Sequence, residues 1–281
     1  MTTISEALRA ATARLTEAGI DGARLDARLL LAEALGKDNT WLFNNAPDEL
    51  AAEAQAAYAA LLEKRLQRQP VSLILGHREF WSLDFTVTKD TLAPRPDSET
   101  LVEAVLAELA DRGKPLSLLD LGTCSACLLL SLLSELPNAK GTGVYLNPDT
   151  LAVAQGNADR LGFGPRTRFL HSDWWGAVEG RFDIILSNPP YIPSGDIAGL
   201  DPEVARFEPL GALDGGADGL DAYRLLVAGA DKFLTADGVI AFEVGAGQAA
   251  DVAALLEEAG FIVRAVRRDL AGIERCVVAG R

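Results

Sequence analysis

The sequence predicts an α/β protein in which a mostly parallel, doubly wound sheet follows a small helical bundle. The first observation is an alternation after residue 116, where short apolar runs are followed by segments of helical periodicity. The second is the pattern of residues 5–69, which carry leucine and alanine at helical spacing throughout. Ligands of doubly wound sheets bind at the carboxyl ends of the strands, so functional residues are expected there.

Composition and charge exclude several classes of protein. Hydrophobic residues make up 49% of the 281 residues, which is enough for a packed core in one large domain or two. Forty Asp and Glu against 26 Lys and Arg give a formal charge of −14, and without a basic stripe this charge disfavours direct nucleic-acid binding. Three cysteines exclude a disulfide framework, and the start of the chain lacks a signal-peptide pattern. We therefore expect a cytoplasmic protein without a membrane segment.

Three segments divide the chain. Residues 1–69 form the predicted helical domain, whose leucines serve core packing and whose surface is expected to face a partner. Residues 70–95 carry aromatic and β-branched residues in partial alternation, and they are predicted to be a connector with a β-hairpin. Residues 96–281 form the predicted sheet domain, entered through the rigid Pro94-Arg95-Pro96 turn.

The sheet domain is predicted to contain seven strands separated by helices. Its strands are expected at residues 116–121, 141–146, 167–170, 182–187, 238–244, 261–268 and 274–279. Its helices are expected at residues 98–110, 128–136, 148–161, 220–234 and 248–259.

The segment Asn188-Pro189-Pro190-Tyr191 follows the predicted strand at residues 182–187 and carries the clearest chemistry. The two prolines stiffen the loop and remove two backbone donors, which leaves carbonyl groups free to accept. Asn188 offers one acceptor and two donors, and Tyr191 offers a flat aromatic face. Together they can hold a planar amino group by both hydrogens, with the nitrogen lone pair pointing outward for methyl transfer. The alternative is a rigid turn with an incidental aromatic residue.

This loop resembles that of S-adenosylmethionine-dependent methyltransferases that act on amide or exocyclic amino nitrogens. Further motifs narrow the resemblance to the release-factor N(5)-glutamine methyltransferases of the HemK/PrmC type, and they occur in family order. They are PVSLILG at residues 70–76, REFW at 78–81, PRPDSET at 94–100, EP at 208–209, ALDGG at 212–216, EVG at 243–245 and DLAG at 269–272.

The resemblance implies a Rossmann-like methyltransferase sheet, with the helical region as the family's substrate-recruiting domain. It implies methyl transfer from S-adenosylmethionine to the side-chain amide of a glutamine in the Gly-Gly-Gln loop of peptide chain release factors. Asn188, Pro189 and Tyr191 match the family's catalytic residues, and these three together with Pro190 match its substrate-binding residues. The residues that match its cofactor-binding positions are Asp120, Gly122, Thr123, Cys124, Ser125, Ala126, Tyr145, Asp173, Trp174 and Asn188.

The matched cofactor-binding residues depart from the family pattern at three positions. Cys124 and Ala126 stand where the family has glycine, and a Cβ there could cost about 1 kcal/mol or more in backbone strain. Tyr145 stands where the family has an acidic residue that binds the ribose hydroxyls, and a phenol cannot replace a bidentate carboxylate. Two hypotheses follow: an enzyme with a reshaped cofactor pocket, or a cofactor-deficient variant that docks a release factor without catalysis.

Two further alternatives stay open. A nucleic-acid adenine methyltransferase shares the four-residue loop, although the acidic charge counts against it. Cys124 and Cys127 form a Cys-x-x-Cys motif at a predicted helix N-terminus, where the helix dipole is expected to lower a thiol pKa and would allow a redox switch. Cys276, His77 and His171 form no metal-ligand pattern, so no metal site is predicted.

Overall fold

A computed structural model describes residues 2–281 and divides the chain into two compact units. The first unit runs to Gly76 and also includes Asp201–Phe207, a segment that lies far along the chain. The second unit comprises His77–Leu200 and Glu208–Arg281. The chain therefore leaves the second unit once and returns to it seven residues later.

The first unit is a helical bundle with its own apolar core. Its first helix begins with a capping box, because Thr3 Oγ1 accepts from the Glu6 backbone N–H at 3.2 Å while the Glu6 carboxylate accepts from the Thr3 N–H at 2.9 Å. The cap is therefore Thr3, three residues before Glu6. The five helices of the amino-terminal segment are α1 (Ile4–Glu17), α2 (Ala23–Leu35), α3 (Asn39–Asn44), α4 (Ala52–Leu66) and α5 (Val71–Leu75).

A buried arginine joins the distant segment to this bundle. Arg65 donates from Nε to Asp26 at 2.7 Å and from Nη1 to Glu203 at 2.9 Å, and its side chain is 7% exposed. Glu203 also pairs with Arg68 at 3.1 Å. A guanidinium so far from water needs these two carboxylates, so the short segment around Glu203 is part of the bundle's structure.

The second unit is the α/β part of the molecule. A hairpin comes first, and a seven-stranded sheet in the order β5-β4-β3-β6-β7-β9-β8 follows. The strands are β1 (His77–Phe80), β2 (Leu83–Thr86), β3 (Ser117–Leu121), β4 (Lys140–Tyr145), β5 (Thr167–His171), β6 (Phe182–Ser187), β7 (Leu234–Glu243), β8 (Ile262–Arg268) and β9 (Glu274–Gly280). The helices of this unit are α6 (Glu99–Ala107), α7 (Cys127–Glu135), α8 (Pro148–Arg160), α10 (Asp221–Phe233) and α11 (Ala249–Glu258), while α9 (Pro202–Phe207) belongs to the first unit.

The sheet is parallel except at β9, which runs antiparallel to both β7 and β8. Successive residues of β3 point to opposite faces, so Leu118 packs in one apolar cluster and Leu119 in the other. Apolar layers on both faces are what a doubly wound sheet requires, and the predicted fold class is confirmed.

The strand order reverses between β3 and β6. From β3 the chain moves outward through β4 and β5, and it then returns to β6 on the other side of β3 and continues to β7. The carboxyl ends of β3 and β6 therefore flank the switch point, where ligands of this fold bind. Within residues 2–281, no helix is long and apolar enough to cross a membrane.

Candidate active site

A cavity of about 460 Å³ opens at the switch point and lies entirely within the second unit. Its walls come from the segments that follow β3, β4, β5 and β6, from the connector before α6, and from the start of α10. The residues that line it are Asp90, Leu92, Gly122, Cys124, Val144, Tyr145, Leu146, Asn147, Thr150, Ser172, Asp173, Trp174, Asn188, Pro190, Pro209, Gly211, Ala212, Asp214, Asp221, Ala222 and Leu225.

The loop between β3 and α7, residues 122–126, forms one wall and is called the cofactor-side loop below. Gly122, Cys124 and Ala126 have φ of +81°, +49° and +65°, so the left-handed conformation recurs at every second residue. Glycine adopts this region freely, whereas each non-glycine residue costs about 1–2 kcal/mol there. The Gly122 and Thr123 N–H groups both donate to the Val144 carbonyl at 3.0 Å. Bonds to the neighbouring strand thus hold the loop in a conformation that two of its residues disfavour.

The ten predicted cofactor-binding residues fall into two groups. Gly122, Cys124, Tyr145, Asp173, Trp174 and Asn188 line the cavity. Asp120, Thr123, Ser125 and Ala126 are not among the lining residues, and each is at most 4% exposed. These four buried residues lie behind the cavity surface and stabilise it through hydrogen bonds. Thr123 Oγ1 donates to Asp120 Oδ2 at 2.7 Å, and the Ser125 carbonyl accepts from Asn157 Nδ2 at 3.1 Å.

Asp120 lies at the end of β3, two residues before the cofactor-side loop begins. It is 1% exposed, and its Oδ1 atom has no hydrogen-bond partner among residues 2–281. Burial raises the pKa of Asp120 to about 7, and the bond from Thr123 offsets only part of that effect. The carboxyl group is therefore poised to change charge near neutral pH.

The loop Asn188–Tyr191 contributes to another wall of the cavity and is called the amide loop below. Asn188 and Pro190 line the cavity, Pro189 is buried, and Tyr191 is half-buried without being a lining residue. Asn188 Nδ2 points at Ser98 Oγ at 3.5 Å, and among residues 2–281 the amide oxygen of Asn188 has no hydrogen-bond partner. Burial raises the pKa of the Tyr191 hydroxyl to about 12, so Tyr191 is neutral at physiological pH.

Two further acidic side chains, Glu243 and Glu208, have their pKa raised by burial. Glu243, at the end of β7, is 3% exposed, and burial raises its pKa to about 7. Glu208 accepts from Arg95 Nη2 with both carboxylate oxygens, at 2.6 and 2.7 Å. Burial raises the pKa of Glu208, and the guanidinium of Arg95 lowers it to a smaller extent.

The two cysteines of the Cys-x-x-Cys motif are free thiols. Burial raises the pKa of Cys124 to about 12 and raises that of Cys127 as well, so the expectation of a lowered thiol pKa was wrong. The physical reason is that the loss of hydration outweighs the helix dipole at these positions. The Cys124 sulfur instead accepts from the Leu92 N–H at 3.1 Å, which ties the cofactor-side loop to the connector.

No group of three His, Cys, Asp or Glu side chains in the described part of the chain is placed to hold a metal ion.

Comparisons with known proteins agree over both units. The chain matches the PrmC N-terminal domain over residues 6–76 and the methyltransferase small domain over residues 96–198. A release factor glutamine methyltransferase of Rhodospirillum rubrum is 50% identical over 268 residues, covering 95% of this chain and 82% of that protein. Another, from Cereibacter sphaeroides, is 48% identical over 276 residues, covering 98% of this chain and 97% of that protein.

The chain belongs to the release factor glutamine methyltransferase family. The resemblance inferred from its motifs is thereby confirmed. A solved methyltransferase from Pyrococcus furiosus has a TM-score of 0.53 at 17% identity, and the match covers 71% of this chain and 90% of that one. At that identity the likeness supports the fold alone, and it agrees with the sheet described above.

Several cavity residues escaped the sequence analysis. Asp90 and Leu92 precede the sheet domain, in a turn where Thr88 N–H donates to Thr91 Oγ1 at 2.9 Å. No sequence pattern relates that turn to the strand ends. Asp214 also lines the cavity. It belongs to a release factor glutamine methyltransferase motif at residues 212–216, so its place in the cavity wall could have been predicted from the sequence.

Proposed function

We propose that the protein transfers a methyl group from S-adenosylmethionine to the side-chain amide of a glutamine in peptide chain release factors. The observation that carries this proposal is the amide loop, which follows β6 and turns the Asn188 side chain into the cavity. Its position at the switch point is where an α/β sheet binds its ligands. The names of the two bacterial relatives support the same substrate class.

The amide loop supplies acceptors for a planar amide group. Asn188 Oδ1 accepts one N–H of the substrate glutamine, because Nδ2 of the same side chain is turned toward Ser98. The Pro189 carbonyl accepts the other, and Tyr191 packs over the group. Holding both hydrogens fixes the orientation of the amide and points the nitrogen lone pair away from the loop. An amide nitrogen is a poor nucleophile, so this orientation supplies most of the rate.

The residues around the cavity fit S-adenosylmethionine. Trp174 and Tyr145 offer aromatic faces for the adenine and ribose, and the cofactor-side loop keeps the left-handed backbone that its glycine-bearing relatives are expected to use. Tyr145 provides no carboxylate for the ribose hydroxyls, but Asp90 and Asp173 also line the cavity and can accept hydrogen bonds. When bound, S-adenosylmethionine supplies an electrophilic methyl group on a sulfonium centre.

The proposal assigns a role to each segment. Residues 1–69 form the helical domain that recruits the release factor, residues 70–95 are the connector, and residues 96–281 are the methyltransferase domain. The reaction takes place in the cytoplasm, with release factors as partners and without a nucleic-acid or membrane ligand.

The first experiment is a calorimetric titration with S-adenosylmethionine and with S-adenosylhomocysteine. It is followed by incubation with a release factor and mass spectrometry of its Gly-Gly-Gln peptide. We expect micromolar binding and a gain of one methyl group on the glutamine, and none on a release factor carrying alanine in its place. Absence of binding at millimolar ligand would contradict the proposal and favour a protein that docks a release factor without catalysis.

A further inference from the structure

Gln248 connects three loops behind the proposed amide-binding site. It caps the amino-terminal end of α11, and its side chain is half-buried. Gln248 Nε2 donates to the Tyr191 carbonyl at 3.0 Å and to the Gly219 carbonyl at 3.4 Å. Gln248 Oε1 accepts from the Gly245 N–H at 3.0 Å. One side chain therefore joins the amide loop, the turn before α10 and the end of β7.

Glycines surround the same contact. A methyl group at Gly219 would overlap the Tyr191 carbonyl oxygen, and one at Gly245 would lie 2.9 Å from Tyr191 Cδ2 and 2.6 Å from Gln248 Oε1. A methyl group at Gly215 would lie 2.8 Å from Tyr191 Cα. Separations this short do not occur for real side chains, so the backbone around Tyr191 is packed to the limit that glycine allows.

The amide loop is anchored at both ends. At its start, Ser187 Oγ donates to the Leu121 carbonyl at 2.5 Å. At its other end, the bond from Gln248 holds the Tyr191 carbonyl. The prolines between these anchors have fixed φ, so fixing both ends leaves little freedom to Asn188.

We propose that Gln248 is a positioning residue, which holds Tyr191 and through it the amide loop in the conformation that presents the substrate amide. The proposal rests on the proposed function. An amide side chain suits this place because it can donate to one carbonyl and accept from one N–H at the same time. A glutamate could still accept from Gly245 but could not donate to Tyr191.

The test compares Gln248→Glu with the matched variant Gln155→Glu on α8, where the Gln155 side chain bonds to Asp159 at 2.9 Å. We expect Gln248→Glu to lower kcat by about tenfold to a hundredfold, because small displacements of a reacting group have effects of that size. The KM for the release factor and the Kd for S-adenosylmethionine should not change. Gln155→Glu should behave like wild type in all three quantities.

Hydrogen exchange supplies a readout that does not depend on catalysis. The Ile192 N–H donates to the Leu213 carbonyl at 3.0 Å and the Ser194 N–H to the Gly216 carbonyl at 2.8 Å. Both amides should exchange faster in Gln248→Glu, while those of β3 exchange as in wild type. Gln248→Met, which keeps the side-chain length without its polar atoms, should repeat both effects and is the variant to use if Gln248→Glu does not fold.

Several outcomes would contradict the positioning role of Gln248. Wild-type kcat together with wild-type exchange at Ile192 and Ser194 would overturn the positioning role. A loss that falls on KM alone, or slower turnover without a change in exchange, would also overturn it. If the wild-type protein methylates no release factor, the proposed function fails, and the exchange data still test whether Gln248 holds the amide loop.

Discussion

The two walls of the cavity keep their shape by different means. The amide loop has the residues that the family resemblance predicts, and side chains hold it at both ends, through Ser187 and Gln248. The cofactor-side loop has lost two of the glycines expected there, yet Cys124 and Ala126 adopt the left-handed backbone that glycine favours. Bonds from the loop backbone to the Val144 carbonyl hold that conformation.

The two walls therefore differ in whether the residues of each loop suit both its backbone conformation and its proposed chemical role. On the amide side, sequence and conformation agree, so changes there should act on the reaction itself. On the cofactor side, the loop has the left-handed backbone while Tyr145 stands where the resemblance predicts a carboxylate, so changes there should act on ligand affinity. The four predictions below test that division, from the largest expected effect to the smallest.

Asn188→Ala should lower kcat for release-factor methylation by about a hundredfold or more, which is the cost of losing a preorganised polar contact to a reacting group. The Kd for S-adenosylmethionine, measured by calorimetry, should change much less than kcat, although Asn188 also lines the cofactor cavity. Ser194→Ala is the control, because Ser194 is exposed and lies beyond the loop, where its side chain bonds to Asp214 at 2.6 Å. If Asn188→Ala abolished cofactor binding instead, the two walls would not be separable.

This division was only partly visible in the sequence. Apolar periodicity was sufficient to predict seven strands, and Pro189-Pro190 marked the amide loop because prolines at a strand end restrict the backbone strongly. The positions of Asp90 and Leu92 could not be predicted, because only the folded sheet brings that turn to the strand ends. Likewise, the bonds of Gln248 depend on three loops that are distant in sequence.

Asp120 and Glu243 provide a matched pair, one beside each wall, for a test by pH. The pKa of each carboxyl group is raised to about 7 by burial, above its value in the unfolded chain. Between pH of about 4 and 7 the folded state therefore binds more protons than the unfolded state, and the free energy of unfolding falls as pH rises through that window.

Asp120→Asn and Glu243→Gln remove this titration. Each variant should gain stability relative to wild type as pH rises, by an amount on the order of 3 kcal/mol once pH exceeds 7. Urea unfolding at a series of pH values measures the difference. A difference that does not depend on pH would mean that the carboxyl group titrates at its ordinary value in the folded protein.

Gly219→Ala tests the packing around Tyr191. Gly219 has φ of +77°, and an added methyl group would overlap the Tyr191 carbonyl, so we expect a loss of about 1–3 kcal/mol in unfolding free energy together with lower kcat. Gly260→Ala is the control, since Gly260 has φ of +86° with open space around it. It should show the backbone strain, about 1 kcal/mol, and normal kcat. Equal effects of the two substitutions on kcat would show that Tyr191 is insensitive to its surroundings.

Tyr145→Asp tests the other wall, and its effect should be confined to binding. A carboxylate that accepts from the ribose hydroxyls makes charge-assisted hydrogen bonds, and the gain left after desolvation should tighten the Kd for S-adenosylmethionine about tenfold. Tyr145→Phe keeps the ring and loses only the hydroxyl, so it should bind as wild type does. If Tyr145→Asp binds no tighter while Tyr145→Phe binds more weakly, the phenol itself holds the ligand. The cofactor side would then bind S-adenosylmethionine through the hydroxyl of Tyr145, and the tyrosine would preserve affinity by a different contact from that of a carboxylate.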